Sequence, residues 1–262
     1  MADQLLQATA ILDYDHPAIQ GLISGRKWRE FPTYERIGAA YEFVRDEIRF
    51  GYNKSDDLKA SQVLQEGIGQ CNTKANLLMA LLRALGIPCR LHGFTIDKKL
   101  QKGVVTGVFY LLSPRNIIHS WVEAFHEGKW INLEGFILDK PYLRKLQKKF
   151  GAKNQPFCGY GVAISDFKSP PIEWRGTDTY IQRDGINQDL GIFSSPDEFY
   201  AKNGTNLKGL KRLLFEAVVR RMMTKNVSRI RDGGCGCALA FGPSLAALCG
   251  PMRCGEMNLP FS

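Results

Sequence analysis

The amino-acid sequence predicts an α+β fold in which a buried helix packs on an antiparallel sheet. Three observations carry this prediction. Between about Asn72 and Leu85, the residues Leu77, Leu78, Leu81, Leu82 and Leu85 form a stripe broad enough for deep burial, and Gly86 followed by Pro88 ends the helix. From Ile87 the pattern changes to strand-like runs, IPCRLHGF and then VVTGVFYLL. Two further alternating runs, IIHSWVEAF and KWINLEGFIL, flank His126-Glu127-Gly128 and read as a hairpin.

The remaining elements follow in order. The first 30 residues carry no long period, although Leu5, Leu6, Ile11 and Leu12 can cover a core edge. Pro32-Thr33 opens a helix in which Tyr34, Ile37, Tyr41, Val44 and Ile48 fall on one face, and Gly51 stops it. After a polar link and the short segment ASQVLQEGIGQ comes the leucine-rich helix. Beyond the hairpin, YLRKLQKKF reads as a basic amphipathic helix, and residues 156–191, rich in Gly, Pro and Asp, as irregular structure packed on the sheet. PDEFYAKNG and LKGLKRLLFEAVVRRMMTK read as two more helices. In the second, Leu210, Leu213, Leu214, Ala217, Val218 and Arg221 form a face that buries against the domain, with an interfacial role as the alternative. The expected organisation is an adapter over 1–31, a core over 32–138, a basic extension packed on the core over 139–231, and a flexible Gly- and Cys-rich tail over 232–262.

Composition narrows the classes of function. With 262 residues, 44% of them hydrophobic, the chain can bury a full core without outside help. No apolar run approaches the ~20 residues of a membrane-spanning helix, and the first twenty residues lack the pattern of a secretory signal; a cytoplasmic location is expected. The seven cysteines are odd in number, and Cys71, Cys89 and Cys158 are scattered singly, which favours reduced thiols. The net charge of +9 is concentrated between Lys140 and Arg231, where 18 Lys and Arg stand against 8 Asp and Glu. A solvated surface is the first reading of that region and an acidic partner the second. No recognition motif or stacking aromatics accompany the charge, so specific nucleic-acid binding is not expected. Four dispersed histidines imply no metal site or cofactor. In the tail, Cys235, Cys237, Cys249 and Cys254 match no common zinc spacing; a flexible tail is the first reading, with a thiolate metal site and S-acylation as alternatives.

Chemistry-bearing residues stand at structurally informative places. Cys71 follows the turn Gly67-Ile68-Gly69 and opens the leucine-rich helix, where unpaired amides and the helix dipole favour a thiolate and a lowered pKa. A small buried cysteine would look the same. In the strand IIHSWVEAF, the residues His119, Trp121, Glu123 and Phe125 share one face. If Glu127-Gly128 is a two-residue turn, Phe125 faces Trp130, Glu123 faces Asn132, Trp121 faces Glu134 and His119 faces Phe136. Glu134 is then the diagonal neighbour of His119 on the same face, roughly 7–8 Å away at the backbone and within side-chain reach. Thiol, imidazole and carboxylate are the three parts that acyl chemistry through a cysteine requires. Gln65, six residues before Cys71, is a candidate side-chain donor, with an ordinary exposed glutamine as the competing reading.

The segment GIGQCNTKANLLMALLRALGIPCRLHGF resembles the signature block of the transglutaminase-like superfamily: a Gly-x-Cys start, a leucine-rich helix, then Arg-Ala-Leu-Gly-Ile-Pro and a strand. HSWVEAFHEGKWINLEG is similar to that family's histidine hairpin, including the aromatic Trp121 two residues after the histidine, and PTYERIGAAYEFVRDEIRFGY to its leading helix. The resemblance covers about residues 32 to 138. It implies a papain/transglutaminase-like core with the nucleophile at the N-terminus of the buried helix. Cys71 would be the nucleophile, His119 the base and Glu134 the orienting acid, with Gln65 and Trp121 as oxyanion or substrate contacts. The family generally carries Asp in the third place, so the longer Glu134 requires the imidazole or the strand to shift. The implied activity is thioester formation with an acyl group of a protein or peptide substrate. Hydrolysis of an amide or peptide bond comes first; amine acyl transfer and a catalytically silent binding module are the alternatives.

Overall fold

Burial of the leucine-rich helix on all sides organises the chain. The computed structural model describes residues 3–151, 155–206 and 219–233. Helices α1 (Pro17–Gly25) and α2 (Thr33–Asp46) come first, followed by β1 (Arg49–Phe50), α3 (Ala60–Glu66) and β2 (Ile68–Gly69). The leucine-rich helix is α4 (Cys71–Ala84); after it come β3 (Cys89–Asp97), α5 (Gly107–Leu112), β4 (Asn116–His126) and β5 (Lys129–Leu133). The C-terminal part holds α6 (Lys140–Phe150), β6 (Phe157–Gly159), β7 (Val162–Ile164), β8 (Ile186–Phe193), α7 (Pro196–Asn203) and α8 (Arg220–Arg231). An antiparallel sheet in the order β5-β4-β3-β8 forms the second layer, on which α4 packs.

Every residue of α4 from Asn72 to Arg83 is buried, charged ones included. Each buried charge has a backbone destination, as burial demands. Lys74 donates from Nζ to the carbonyls of Arg45 (3.1 Å) and Ile137 (3.0 Å). Arg83 donates to the carbonyls of Gln7, Cys89 and Ser194, tying the N-terminal segment and the end of β8 to the helix. The N-terminal residues contribute Leu12, Ile19 and Ile23 to the same core. α1 escapes a search for long periods because it is only nine residues long; Pro17 starts it, and His16 Nδ1 accepts from the Ala18 amide.

The hairpin of β4 and β5 has the register read from the sequence. Phe125 pairs with Trp130 and Glu123 with Asn132. Glu127 and Gly128 both have positive φ, 48° and 78°, which is the geometry of the two-residue primed turn that matches strand twist. The ladder ends at Val122–Leu133, so the expected pairs Trp121–Glu134 and His119–Phe136 do not form. Past that point the Glu134 amide turns instead to the Thr179 carbonyl (3.1 Å).

Two elements differ from expectation. VVTGVFYLL reads as a strand, yet its second half is the helix α5. Gly107 there has φ of 60°, which breaks an extended run, and Lys98 Nζ donates to the carbonyls of Tyr110, Leu111 and Ser113, holding the last turn closed. Within 156–191, expected to be irregular, the chain forms the small β6-β7 hairpin and the start of β8, the fourth strand of the central sheet. β8 is largely exposed and its pairing with β3 shifts register twice, so no clean alternation marks it. The helical face of Leu210, Leu213, Leu214, Ala217 and Val218 lies outside the described residues, as do Cys235, Cys237, Cys249 and Cys254. The described end of that segment, α8, buries Met223, Val227 and Ile230, and Arg231 pairs with Asp139 at the start of α6. No helix among the described residues is long and apolar enough to cross a membrane.

Burial lowers the Lys74 pKa from 10.5 to about 7, against the pull of Asp139 and Asp46. The charged amine therefore costs stability at pH values below about 7, and the cost disappears as pH rises toward 10.5, the value of the unfolded chain. Thermal unfolding between pH 6 and 10 should show the wild type gaining Tm relative to Lys74→Met as pH rises. Parallel Tm curves for the two proteins would show that Lys74 titrates normally.

Candidate active site

The start of α4 is built by close backbone approach. β1 and β2 pair in parallel, Arg49 with Ile68 and Phe50 with Gly69, and deliver the chain to Cys71. A Cβ on Gly69 would lie 2.6 Å from Lys74 Cγ and 3.0 Å from Thr73 Oγ1, so only glycine fits two residues before the cysteine. Thr73 Oγ1 accepts from the Gln70 amide (3.1 Å) and donates to Asn53 Oδ1 (2.6 Å), locking the turn.

Cys71, the first residue of α4, is half-buried beside a cavity of about 540 Å³. The backbone N–H groups of Asn72 and Ser120 point at its sulfur. The expected lowering of its pKa is not what the surroundings produce. Burial pushes the thiol up, Asp56 and Glu134 add to the rise, and the two amides oppose it without prevailing. Desolvation and nearby carboxylates outweigh the helix terminus here.

His119 and Glu134 are both fully buried and bonded to each other, imidazole Nε2 to Glu134 Oε1 at 2.9 Å. Glu134 Oε2 accepts three consecutive backbone amides, those of Ile181 (2.9 Å), Gln182 (3.0 Å) and Arg183 (3.1 Å). A carboxylate held by three amides is acceptor-only, so the proton of this bond belongs to Nε2. Nδ1 is left as the basic nitrogen, and it is buried with no hydrogen-bond partner among the described residues. The longer side chain of glutamate is accommodated because its backbone lies one residue past the end of the β5 ladder.

A second polar network joins the cysteine helix to the histidine strand. Asn72 brackets His119: its Nδ2 donates to the Ile118 carbonyl (3.1 Å) and its Oδ1 accepts from Ser120 Oγ (3.0 Å). Asp56 Oδ1 accepts from Asn72 Nδ2 (3.1 Å) and Gln70 Nε2 (3.4 Å), and Oδ2 from the amide (3.2 Å) and side chain (2.9 Å) of Asn206. Asn206 Oδ1 in turn accepts from the Ile118 amide at 2.7 Å. Asn72, Asp56, Asn206 and the 181–183 amides carry no pattern in the sequence that marks them as part of the site. Only Asn72 has a local signal, its position next to Cys71.

The other candidates are placed elsewhere. Gln65 is exposed on α3 and is not among the cavity-lining residues; Gln70 and Gln182 are. Trp121 shares the face of His119, donates to Asn132 Oδ1 (3.0 Å) and packs on Phe94 with ring centres 4.1 Å apart. Cys89 is buried in β3, and His92 in the same strand lies between Glu123 (2.7 Å) and Asp189 (3.0 Å). Among the described residues no group of three His, Cys, Asp or Glu side chains is arranged to hold a metal ion.

A helix that starts at a cysteine and packs on an antiparallel sheet, with a histidine and an acid brought together on the next two strands, is the arrangement of a transglutaminase-like core. Residues 26–135 match the family model of the transglutaminase-like superfamily. The uncharacterized protein YebA of Bacillus subtilis (strain 168) is 34% identical over 84 residues, which are 31% of this chain and 11% of that protein. This chain therefore spans about a tenth of that relative's length. A solved structure of a candidate cysteine protease from Cytophaga hutchinsonii is similar at 14% identity with a TM-score of 0.43, over 75% of this chain and 48% of the other.

Replacing Glu134 by Ala leaves His119 Nε2–H and three amides buried without an acceptor, and should cost on the order of 3–5 kcal/mol in denaturant unfolding. Glu134→Asp should lie between Ala and wild type, since one methylene less cannot reach both His119 and the amides. For Cys71, alkylation by iodoacetamide, followed by intact mass, should be slow at pH 6 and keep rising above pH 9. Asp56→Asn should move that rise to lower pH; an unchanged profile would show that the Asp56 charge does not act on the thiol.

Proposed function

We propose that the protein is a cysteine-dependent acyl-transfer enzyme that hydrolyses an amide or peptide bond through a thioester on Cys71. The carrying observation is the state of His119: Nε2 is committed to the Glu134 carboxylate, while Nδ1, in the residue next to the Ser120 amide that meets the sulfur, has no partner among the described residues. Such an imidazole can take the thiol proton only at Nδ1. A thiol that rests protonated fits proton removal during attack rather than a preformed ion pair.

In this mechanism Cys71 Sγ bonds to the carbonyl carbon as its proton moves to His119 Nδ1, and the carbonyl π pair moves onto oxygen. Amides at the start of α4 are the candidate donors to that oxyanion. When the oxyanion collapses the C–N bond breaks, and Nδ1–H protonates the departing amine. Water then attacks the thioester, gives a proton to His119, and releases the carboxylic acid and the thiol. Glu134 holds the imidazole in the required tautomer and stabilises its charged form. Amine transfer shares the thioester and differs only in the acceptor. The raised thiol pKa is the observation that favours a silent binding module instead, and the same experiment decides.

Incubation with a library of peptide amides, with and without methylamine, should give an acyl adduct on Cys71 and products of hydrolytic mass. Products carrying methylamine would favour transfer. Turnover that persists in Cys71→Ala or His119→Ala would end the thiol reading, as would no adduct with any acyl donor. Glu134→Gln gives a sharper test. Its amide oxygen must face the three N–H donors, so its NH₂ faces His119 Nε2 and drives the imidazole proton to Nδ1. Activity should fall on the order of 10³–10⁴-fold.

A further inference from the structure

We infer that the cavity beside Cys71 receives the hydrocarbon part of the acyl donor, so that the substrate is an amide whose acyl group is uncharged and apolar. This rests on the thiol reading above and adds the substrate class to it. The volume of about 540 Å³ is in the range of a small-molecule site. Phe50, Ile96, Leu100, Val105, Ile117 and Met223 form a hydrocarbon part of its lining, which also includes Lys54, Ser55, Gln101 and Ser113. The hydrocarbon part gives an entering polar or charged group nothing to bond to, and its desolvation there would be uncompensated.

Of the polar lining residues, Lys54 is exposed to solvent, and the buried ones beside Cys71 are committed to partners. Asp56 already accepts four hydrogen bonds, from Gln70, Asn72 and Asn206, and Asn72 is held by Asp56, Ile118 and Ser120. One buried polar atom of the cavity-lining residues stands unpartnered among the described residues, Gln182 Oε1. Its identity as oxygen is fixed because Gln182 Nε2 donates to the Gly161 carbonyl. Gln182 also supplies one of the three amides that hold Glu134, so this acceptor belongs to the corner of the candidate triad. An unpaired acceptor fits the N–H of an amide and repels a carboxylate. The apolar lining also continues outward. Leu112 lines the cavity and is 76% exposed, and Leu111 beside it is 75% exposed, so a chain longer than the cavity meets further apolar surface at α5.

The test uses p-nitrophenyl esters from acetate to octanoate, with nitrophenolate release and the mass of Cys71 both followed, and Cys71→Ala as control. Acylation should accelerate about tenfold for every two methylenes that enter the cavity. The succinyl half-ester should react more slowly than the butyryl ester despite a similar length. Comparing N-acetyl-phenylalanine and N-acetyl-serine esters with the octanoyl ester separates the two sources of such a group. A larger gain with phenylalanine points to apolar peptide side chains, and a larger gain with octanoyl to fatty-acyl amides. Cys71-dependent acylation with no gain along either series would overturn the inference and leave the thiol reading intact. No Cys71 adduct with any ester would overturn both.

Discussion

The buried carboxylate of Glu134 is the constraint on which the site and much of the C-terminal half depend. An ionised carboxylate without water needs its lone pairs filled, and one histidine fills only one oxygen. The other oxygen is met by the amides of Ile181, Gln182 and Arg183. To supply them, the chain after α6 must return to the end of β5, where Thr179 binds the backbone of Glu134 and Gly135. From that return it continues directly into β8, which completes the central sheet. The histidine is thus oriented by a group that is itself oriented by a distant segment.

A comparable logic governs the cysteine end. α4 is buried from its first turn, and Asn72 ties that turn to the residues on both sides of His119. This fixes helix and strand as one unit. It also brings Asp56 close to the sulfur, where its charge and the low exposure outweigh the favourable helix terminus. Position at a helix start and stabilisation of a thiolate are therefore separable properties. In this protein the first is present and the balance of the second goes the other way.

Because Asp56, Asn72 and Asn206 are spent on one another, the buried lining of the cavity is mainly hydrocarbon. The walls come from separated parts of the chain: the end of β1, the stretch from Ile96 to Val105, the start of β4 and the face of α8. Selectivity of such a site is set by shape and dehydration rather than by hydrogen bonds. Gln182 Oε1, without a partner among the described residues, adds direction to it.

Local pattern determined the layer architecture, the leucine-rich helix and the register of the β4-β5 hairpin. Each depends on periodicity or on a two-residue turn, and these are properties of adjacent residues. His119 and Glu134 were legible together for that reason, since hairpin arithmetic places them on one face. The bond between them, however, forms beyond the last ladder pair and depends on amides 47 to 49 residues away. The helix at α5, the irregular strand β8 and the Asp56–Asn72–Asn206 network were decided only in three dimensions. There, Lys98 closes a turn that apolar residues alone would extend, and a half-exposed strand follows its neighbour rather than its own pattern. The ionisation of Cys71 likewise belongs to the tertiary structure, because burial and through-space charge have no counterpart along the chain.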